Sequence, residues 1–552
     1  MGIDLTEAVS VSPQMNASWI LKCVLVLWTA FFGVVAMPPF NIAESAYVFV
    51  VPLALWLSKS PSWKSVFIIS FCSGFLSWTA IFIWLRHVTY IGTFFLSVYV
   101  TFYFVVWVAY ARILLPKLKQ RSFLIRIFGA CSLAGAWVFL EWMRASLIYG
   151  TPMGPLALSQ WQRPVMLQIS AWTGSYGVSF ALVFINICMS LAWLRLLQFR
   201  RLKGAFSWFN ADFYAGLSLI GLLFFAFLQS LPKEHKNESE SFTVAVVQPN
   251  FAALKEWTAE ENTERIKVLE KQIQRVALQN FDLLLLPEAV TANPILGDYE
   301  TLTFFESQVA LLGKPILSGN TAHIISTDLW YNGVFLIRPN LGLDANFYAK
   351  RRLVPFGEYV PFPFYGFFKA LGASQGSFAP GDSIALKSLN LKGRLYNFAS
   401  LVCYEDMFPN LARASVLGGA DILFVATNDV WFGEEGAAEF HAAHSVLRAV
   451  ENRRPVIRSG NAGWSGWIDP MGNVRACLTN DEQSIFFRGS GTFPIKLSGV
   501  WTEQTSFYTQ WGDWFVGLSF LISLTGLGYF SLSVRGNYTS AFDSEVRSSI
   551  NS

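Results

Sequence analysis

Charge is what this sequence is short of: Asp, Glu, Lys and Arg make up 14% of its 552 residues, against about 25% in an ordinary globular domain. A net charge of +4 is too small for a basic nucleic-acid-binding surface, so no nucleic-acid partner is expected. Histidine is scarce too, five in all, and no CxxC or HExxH spacing occurs. A zinc site is therefore not expected, and no motif asks for another metal or a cofactor. The cysteines do not build a framework either. Cys23, Cys72, Cys131 and Cys188 lie in apolar runs and read as small core hydrophobes, leaving only Cys403 and Cys477 in the polar part. The first apolar run has no basic stretch before it, which speaks against a cleaved signal peptide.

What is abundant is apolar surface. Hydrophobic residues reach 53%, more than a soluble fold can hide. They come in blocks that predict about eight spans: Trp19–Met37, Ala46–Leu57, Ser65–Leu85, Gly92–Leu115, Phe123–Trp142, Gly174–Leu196, Tyr214–Leu231 and Trp514–Val534. Most reach the ~20 residues that cross a bilayer, whereas Ala46–Leu57 is short enough to be a span or a re-entrant segment. Alternate connections carry Lys59, Lys64, Arg112, Lys117, Lys119, Arg121, Arg126, Arg195, Arg200, Arg201 and Lys203; the others carry only Arg86, Arg144 and Arg163. By the positive-inside bias the rich set is cytoplasmic, both termini are inside, and the chain after the seventh span is outside. Glu141 and Arg144, near a span end, read as interfacial anchors. The domains predicted are a bundle over 1–232, a catalytic domain over 233–505, a last helix over 506–535 and a polar, disordered tail over 536–552.

Between the seventh and eighth spans the texture changes. Phe242–Val247, Leu283–Leu286, Pro315–Leu317, Gly333–Ile337, Asn397–Val402, Ile422–Ala426 and Pro455–Ile457 have the length and content of buried strands. Ala259–Gln279 and Glu439–Asn452 read as helices between them, so this segment is an α/β domain. Reactive residues stand where the strands stop, as α/β folds place their chemistry. Leu283–Leu286 runs into Pro287-Glu288, Asn397–Val402 into Cys403-Tyr404-Glu405-Asp406, and Ile422–Ala426 into Thr427-Asn428-Asp429. Lys350 lies between the first two, before Arg351 and Arg352.

Glu288, Lys350 and Cys403 form a coherent chemical set. A thiol is a strong nucleophile only as thiolate, with an unperturbed pKa of roughly 8.5. The acids that follow Cys403 would raise that value, so a cation and a general base are needed. Lys350 can supply the cation and donate to an oxyanion, Glu288 can take and return the proton, and the Tyr404 N–H is a second oxyanion donor.

At these residues the chain resembles the nitrilase superfamily, and within it the apolipoprotein N-acyltransferase family. Pro287-Glu288 is similar to that family's base, and Lys350 with Leu353-Val354-Pro355-Phe356-Gly357-Glu358 to its lysine and second glutamate. Cys403-Tyr404-Glu405 resembles its nucleophile elbow, and Asn428-Asp429-Val430-Trp431-Phe432-Gly433 the loop that follows. Glu141-Trp142-Met143-Arg144, Gly150-Thr151-Pro152 and Gly512-Asp513-Trp514 resemble further segments. The resemblance implies a polytopic helical membrane bundle with an inserted nitrilase-like αββα sandwich in a bacterial inner membrane, the sandwich on the periplasmic side. It implies a ping-pong acyl transfer: Cys403 takes an acyl chain from a phospholipid as a thioester and passes it to the α-amine of a lipoprotein's S-diacylglyceryl-cysteine. Glu358, Tyr404 and Glu405 are then supporting residues, and Trp257, Trp431 and Phe432 candidates for contact with substrate. Trp431 and Phe432 fit a lid or aromatic core equally, Phe362–Phe368 a membrane-dipping loop or ordinary packing, and His441 a structural role. A membrane-anchored amidase is the alternative, though eight spans exceed what an anchor requires.

Overall fold

The computed structural model describes residues 13–201, 210–230, 240–253, 258–361, 378–497 and 504–550; Trp257 and Phe362–Phe368 lie outside them. Six of the described helices are long and apolar enough to cross a membrane: Trp63–Ile81, Tyr90–Leu118, Phe123–Ser146, Tyr176–Gln198, Ala211–Ser230 and Trp514–Leu532. Trp19–Val35 and Ala43–Leu57 are shorter, and the latter divides into the 3₁₀ turn Ala43–Tyr47 and the two-turn helix Val51–Leu57. Side chains set the helix starts. Ser62 accepts a hydrogen bond from the Ser65 N–H and Thr89 one from the Gly92 N–H, satisfying donors that the first turn leaves free. Leu27, Phe31, Phe94, Phe95, Phe225 and Leu521 point outward, a face suited to lipid.

The last helix runs from Trp514 to Ile550, with no proline to interrupt it. One expectation about polar residues fails. Glu141 and Arg144 are not open to an interface, since residues 147–160 fold back over their helix end and bury them. Glu141 Oε1 accepts from the Leu156 N–H at 2.7 Å, and Arg144 donates to the Met153 carbonyl while lying 4.9 Å from the Trp78 ring. Both border an apolar pocket among Trp78, Tyr103, Phe104 and Trp137. Arg126, counted above with a basic connection, is also buried and pairs with Asp212 at 2.9 Å.

The inserted segment forms two stacked sheets. Its strands are β1 (Glu240–Gln248), β2 (Leu283–Leu286), β3 (Ile316–Ile324), β4 (Leu329–Arg338), β5 (Gly342–Leu343), β6 (Tyr348–Ala349), β7 (Lys387–Leu391), β8 (Arg394–Val402), β9 (Ile422–Thr427), β10 (Val456–Gly460), β11 (Gly466–Ile468), β12 (Val474–Cys477) and β13 (Gly489–Leu497). The first sheet runs β13-β1-β2-β3-β4-β5 with β6 also on β4, and the second β12-β11-β10-β9-β8-β7. Pairings at the centre, β1–β2–β3 and β8–β9–β10, are parallel, and the flanking ones antiparallel. Alternation along the strands sorts residues to two faces. Leu283 and Leu285 meet Phe398, Val402 and Phe424 between the sheets, while Leu284 and Leu286 meet helices Ala259–Ala277 and Tyr299–Leu312 outside.

The second sheet's outer face is what fixes the domain to the membrane. Ala399, Leu401, Leu423 and Val425 pack on helix Ala437–Asn452, and that layer belongs to the same continuous core as Leu25, Leu115, Val178 and Phe530 of the bundle. One side of the sandwich is thus shared with the spans.

Candidate active site

Three strand ends converge. β2 is buried along its length and stops at Pro287, which cannot donate to a ladder, and Glu288 is the next side chain. β3 passes close beneath it at Gly319, where a Cβ would lie 2.5 Å from the Pro287 carbonyl and 2.8 Å from the Glu288 nitrogen. Lys350 follows β6, whose Ala349 pairs with Gly333 of β4, and its N–H donates to the Asn332 carbonyl at 2.8 Å. Cys403 follows β8 with φ +51°, a conformation that non-glycine residues adopt at a cost of about 1–3 kcal/mol unless their surroundings impose it. This bend turns the thiol out of the sheet.

The Lys350 ammonium is 2.8 Å from Glu358 Oε1 and 3.4 Å from Glu288 Oε1, with only 1% of the side chain exposed. The Asn332 amide donates to both carboxylates, at 2.7 Å to Glu288 and 3.0 Å to Glu358. The Cys403 thiol interacts electrostatically with Glu288 and Lys350, and its sulfur lies within 4.8 Å of the donor atoms of Asp429 and His441. Glu405 ties the two reactive loops together: Oε1 accepts from the Arg351 and Arg352 N–H groups at 2.7 and 3.1 Å, and Oε2 from the Val402 N–H and the Tyr348 hydroxyl, both at 2.8 Å.

Burial pushes the Cys403 thiol well above its ordinary value, and Glu288 and Asp429 add to that while Lys350 opposes it. Burial raises the Glu288 carboxyl too, against the pull of Lys350. For Lys350 burial disfavours the charge, but Glu358 and Glu288 more than offset it and hold the ammonium above its ordinary range. The resting set is a neutral thiol beside a carboxyl group with raised proton affinity and a permanent cation. A carboxylate so placed can take the thiol proton as the sulfur attacks, and the ammonium can stabilise the oxyanion that forms.

A second buried network lies under the thiol. His441 Nδ1 is 2.7 Å from Asp429, and Nε2 is 2.8 Å from Asp406 and 3.0 Å from the Cys403 carbonyl oxygen. Arg458 pairs with Asp406 and lies 3.8 Å from Asp429. With acceptors at both nitrogens the ring is an imidazolium. Burial works against that charge, yet Asp406 and Asp429 outweigh it and raise the His441 pKa to about 9. Cys403, Asp429 and His441 have donor atoms within 4.8 Å of one another, the one such grouping among the described residues. A protonated ring has no lone pair for a metal, so the set is better suited to holding the Cys403 backbone than to holding an ion.

This has a consequence for pH. A folded pKa of about 9 against an ordinary 6.5 contributes stability that is complete below pH 6.5 and lost as pH rises through 9. Thermal unfolding in detergent is expected to show a wild-type midpoint that falls across this window, and a flatter profile for His441→Gln. Parallel profiles would mean that the imidazolium is not the group responsible.

The sequence-predicted residues are distributed unevenly. Glu288, Lys350, Cys403, Glu358 and Glu405 meet in one cluster. Tyr404 is buried and its hydroxyl donates to the Gly150 carbonyl at 3.2 Å, joining the thiol loop to the bundle. Phe432 packs edge-to-face on Trp84 of the bundle at 4.9 Å, whereas Trp431 is 42% exposed. Cys477 sits on β12, where burial raises its thiol to about 12, and it has no part in the cluster. Asn332 and Arg458 were not anticipated, and Asp406 and Thr427 were marked only as strand-end residues without a role. Asn332 left only a faint signal, an amide beside Gly333 in a strand.

Two family models match in tandem. One described as Apolipoprotein N-acyltransferase N-terminal domain covers residues 29–188, and one described as Carbon-nitrogen hydrolase covers residues 243–489. The Apolipoprotein N-acyltransferase of Geobacter metallireducens is 29% identical over 503 residues, 87% of this chain and 89% of its own length. That of Thermotoga maritima is 25% identical over 400 residues, 72% of this chain and 70% of its own length. With both halves matched in order, around a bundle and a sandwich that share one core, this chain belongs to the apolipoprotein N-acyltransferase family.

Proposed function

We propose that the protein N-acylates the α-amine of the S-diacylglyceryl-cysteine at a lipoprotein N-terminus, with a phospholipid as acyl donor and Cys403 as acyl carrier. The observation that carries this is the half-buried Cys403 thiol coupled electrostatically to Glu288 and to the buried Lys350 ammonium, in a sandwich whose outer layer is continuous with the membrane bundle. In the first half-reaction Sγ attacks the ester carbonyl as Glu288 accepts the thiol proton. Lys350 and the Tyr404 N–H stabilise the oxyanion. Its collapse breaks the C–O bond, and Glu288 returns the proton to the departing glycerol oxygen of the lysophospholipid. In the second, the neutral amine attacks the thioester, Glu288 takes an amine proton, and the thiolate leaves and is reprotonated. Two easier displacements replace one between an ester and an amine.

The basic-residue asymmetry supports a multi-pass protein of a bacterial inner membrane, with both termini cytoplasmic and the sandwich periplasmic. Phe432 suits a fixed wall of the site and Trp431 a movable contact with substrate. Intact-mass analysis of the purified protein after exposure to phospholipid is expected to show one added acyl group. It should be labile to hydroxylamine, absent in Cys403→Ser and retained in Cys477→Ala. Unmodified wild-type protein would overturn the reading, and loss of the adduct in Cys477→Ala would mean the carrier is the other thiol.

A further inference from the structure

Two guanidinium groups follow Lys350 directly, and the thiol loop fixes their backbone. The N–H groups of Arg351 and Arg352 both donate to Glu405, whose other oxygen is filled by Val402 and Tyr348, so that carboxylate serves main chain and phenol. Among the described residues neither arginine forms an ion pair. The Arg351 guanidinium lies 5.6 Å from the Tyr348 ring and donates through Nε to the Tyr348 hydroxyl at 3.2 Å, while its buried Nη2 has no hydrogen-bond partner. The Arg352 guanidinium lies 5.7 Å from the ring of Phe408 and is exposed. Phe408 in turn stands edge-to-face on Tyr404, next to the thiol, at 4.9 Å.

Unpaired arginines beside the buried cation of a candidate active site are an arrangement without an internal electrostatic partner. A buried guanidinium nitrogen lacking an acceptor is costly unless something else supplies one. Arg352 acts electrostatically on the phenols of Tyr359 and Tyr404, and among the described residues no carboxylate pairs with its guanidinium. A planar guanidinium with paired donors fits a tetrahedral oxyanion, and one held over an aromatic face is already oriented.

We propose that Arg351 and Arg352 form the subsite for the phosphodiester of the glycerophospholipid acyl donor. This rests on the acyl-transfer reading above and adds a specificity element to it. The phosphodiester is the charge that glycerophospholipids share, and the glycerol unit separates it by only a few bonds from the ester under attack. Cys403 and Lys350 would engage the ester carbonyl, and the next two residues along the chain the phosphate. The variable alcohol beyond the phosphate lies outside this contact, so the subsite selects for the phosphate and not for a particular head group.

The test uses the full-length enzyme in detergent and follows acyl-enzyme formation in a single turnover with two probes: a diacyl phosphatidylethanolamine, and an uncharged p-nitrophenyl ester of the same fatty acid. For Arg352→Gln the efficiency with the phospholipid relative to the neutral ester is expected to fall about tenfold, as befits a lost charge-assisted hydrogen bond. The fall should appear as a higher half-saturating phospholipid concentration. Arg351→Gln is expected to move the ratio the same way, Arg352→Lys to recover part of it, and phosphatidylglycerol to behave like phosphatidylethanolamine. An unchanged ratio in both Gln variants would overturn the phosphate subsite, and so would equal losses with both probes. Failure of the wild-type enzyme to react with either probe would instead sink the acyl-transfer reading itself.

Discussion

Lys350→Ala is expected to eliminate detectable acyl-enzyme and to make stability fall more steeply with rising pH than in the wild type. Among the described residues the ammonium is the only cation paired with both Glu288 and Glu358, and the Asn332 amide already donates to both. Without the cation, two buried carboxyl groups face each other across the vacated space, and each raises the other's pKa. Both therefore hold protons more readily in the folded than in the unfolded state. A carboxyl whose folded pKa is raised contributes stability below its unfolded pKa and loses it as pH rises through the folded value, so the variant should unfold at a higher temperature at pH 5 than at pH 8. Catalysis suffers twice. A missing oxyanion donor costs roughly 10²–10³ in rate, and a protonated Glu288 can no longer accept the thiol proton. Single-turnover acylation and thermal unfolding in detergent, each followed from pH 5 to pH 8, check both parts. A variant that retains a tenth of the wild-type acylation rate would exclude Lys350 from the chemistry. One whose unfolding temperature rises toward pH 8 would mean that the glutamates do not interact as described.

How much of this was legible in the sequence follows from the range of the forces involved. Strand identity was readable because the parallel central strands are buried on both faces, and Leu283–Leu286 or Ile422–Thr427 can then be read as uninterrupted apolar runs. The edge strands Lys387–Leu391 and Val474–Cys477 were not, since one face of each is wet and their pattern resembles loop. Glu288 and Cys403 could be found because each follows a legible strand, whereas Lys350 stood out only by its chemistry, since the two-residue strand Tyr348–Ala349 before it leaves no run to read. Asn332 could not, because its role depends on where β4 lies relative to two loops distant in the chain. The same holds for His441 and Arg458: sequence offers a helix and a strand, and only the fold closes Asp406, Asp429 and the Cys403 carbonyl around them.

The membrane half shows the converse. Hydropathy located each of the six described helices long and apolar enough to cross a membrane, yet it could not say whether Glu141 and Arg144 faced an interface or an apolar pocket. That depends on residues 147–160 folding back, which no periodicity encodes. Nor could it reveal that one side of the sandwich is built into the bundle. The shared core makes the position of Cys403 relative to the spans a property of packing rather than of a linker. A thiol so fixed is suited to substrates that stay in lipid, which a tethered domain on a loose linker would have to find by diffusion.

Glu405→Gln should be nearly as damaging as Glu405→Ala, although the two side chains it exchanges are the same size. The carboxylate is fully buried and accepts four hydrogen bonds, two at each oxygen, and it donates none. Glutamine offers one oxygen and one amino group. Whichever way the amide turns, its N–H bonds face either the Arg351 and Arg352 N–H groups or the Val402 N–H and Tyr348 hydroxyl, donor against donor. Two buried donors are then orphaned, at about 1–3 kcal/mol each, and charge assistance to the remaining two is lost. The expected destabilisation is on the order of 3–5 kcal/mol, the range for breaking a buried charged network. Function should fall further than stability. Glu405 joins the Lys350 loop to the Cys403 loop, and a displacement of about 1 Å between reacting groups can cost roughly a hundredfold in rate. Thermal unfolding would measure the first effect. Acyl-enzyme formation at a temperature where the variant remains folded would measure the second. A Glu405→Gln protein with wild-type unfolding and wild-type acylation would show that the four donors have other acceptors, and that the two loops are held together elsewhere.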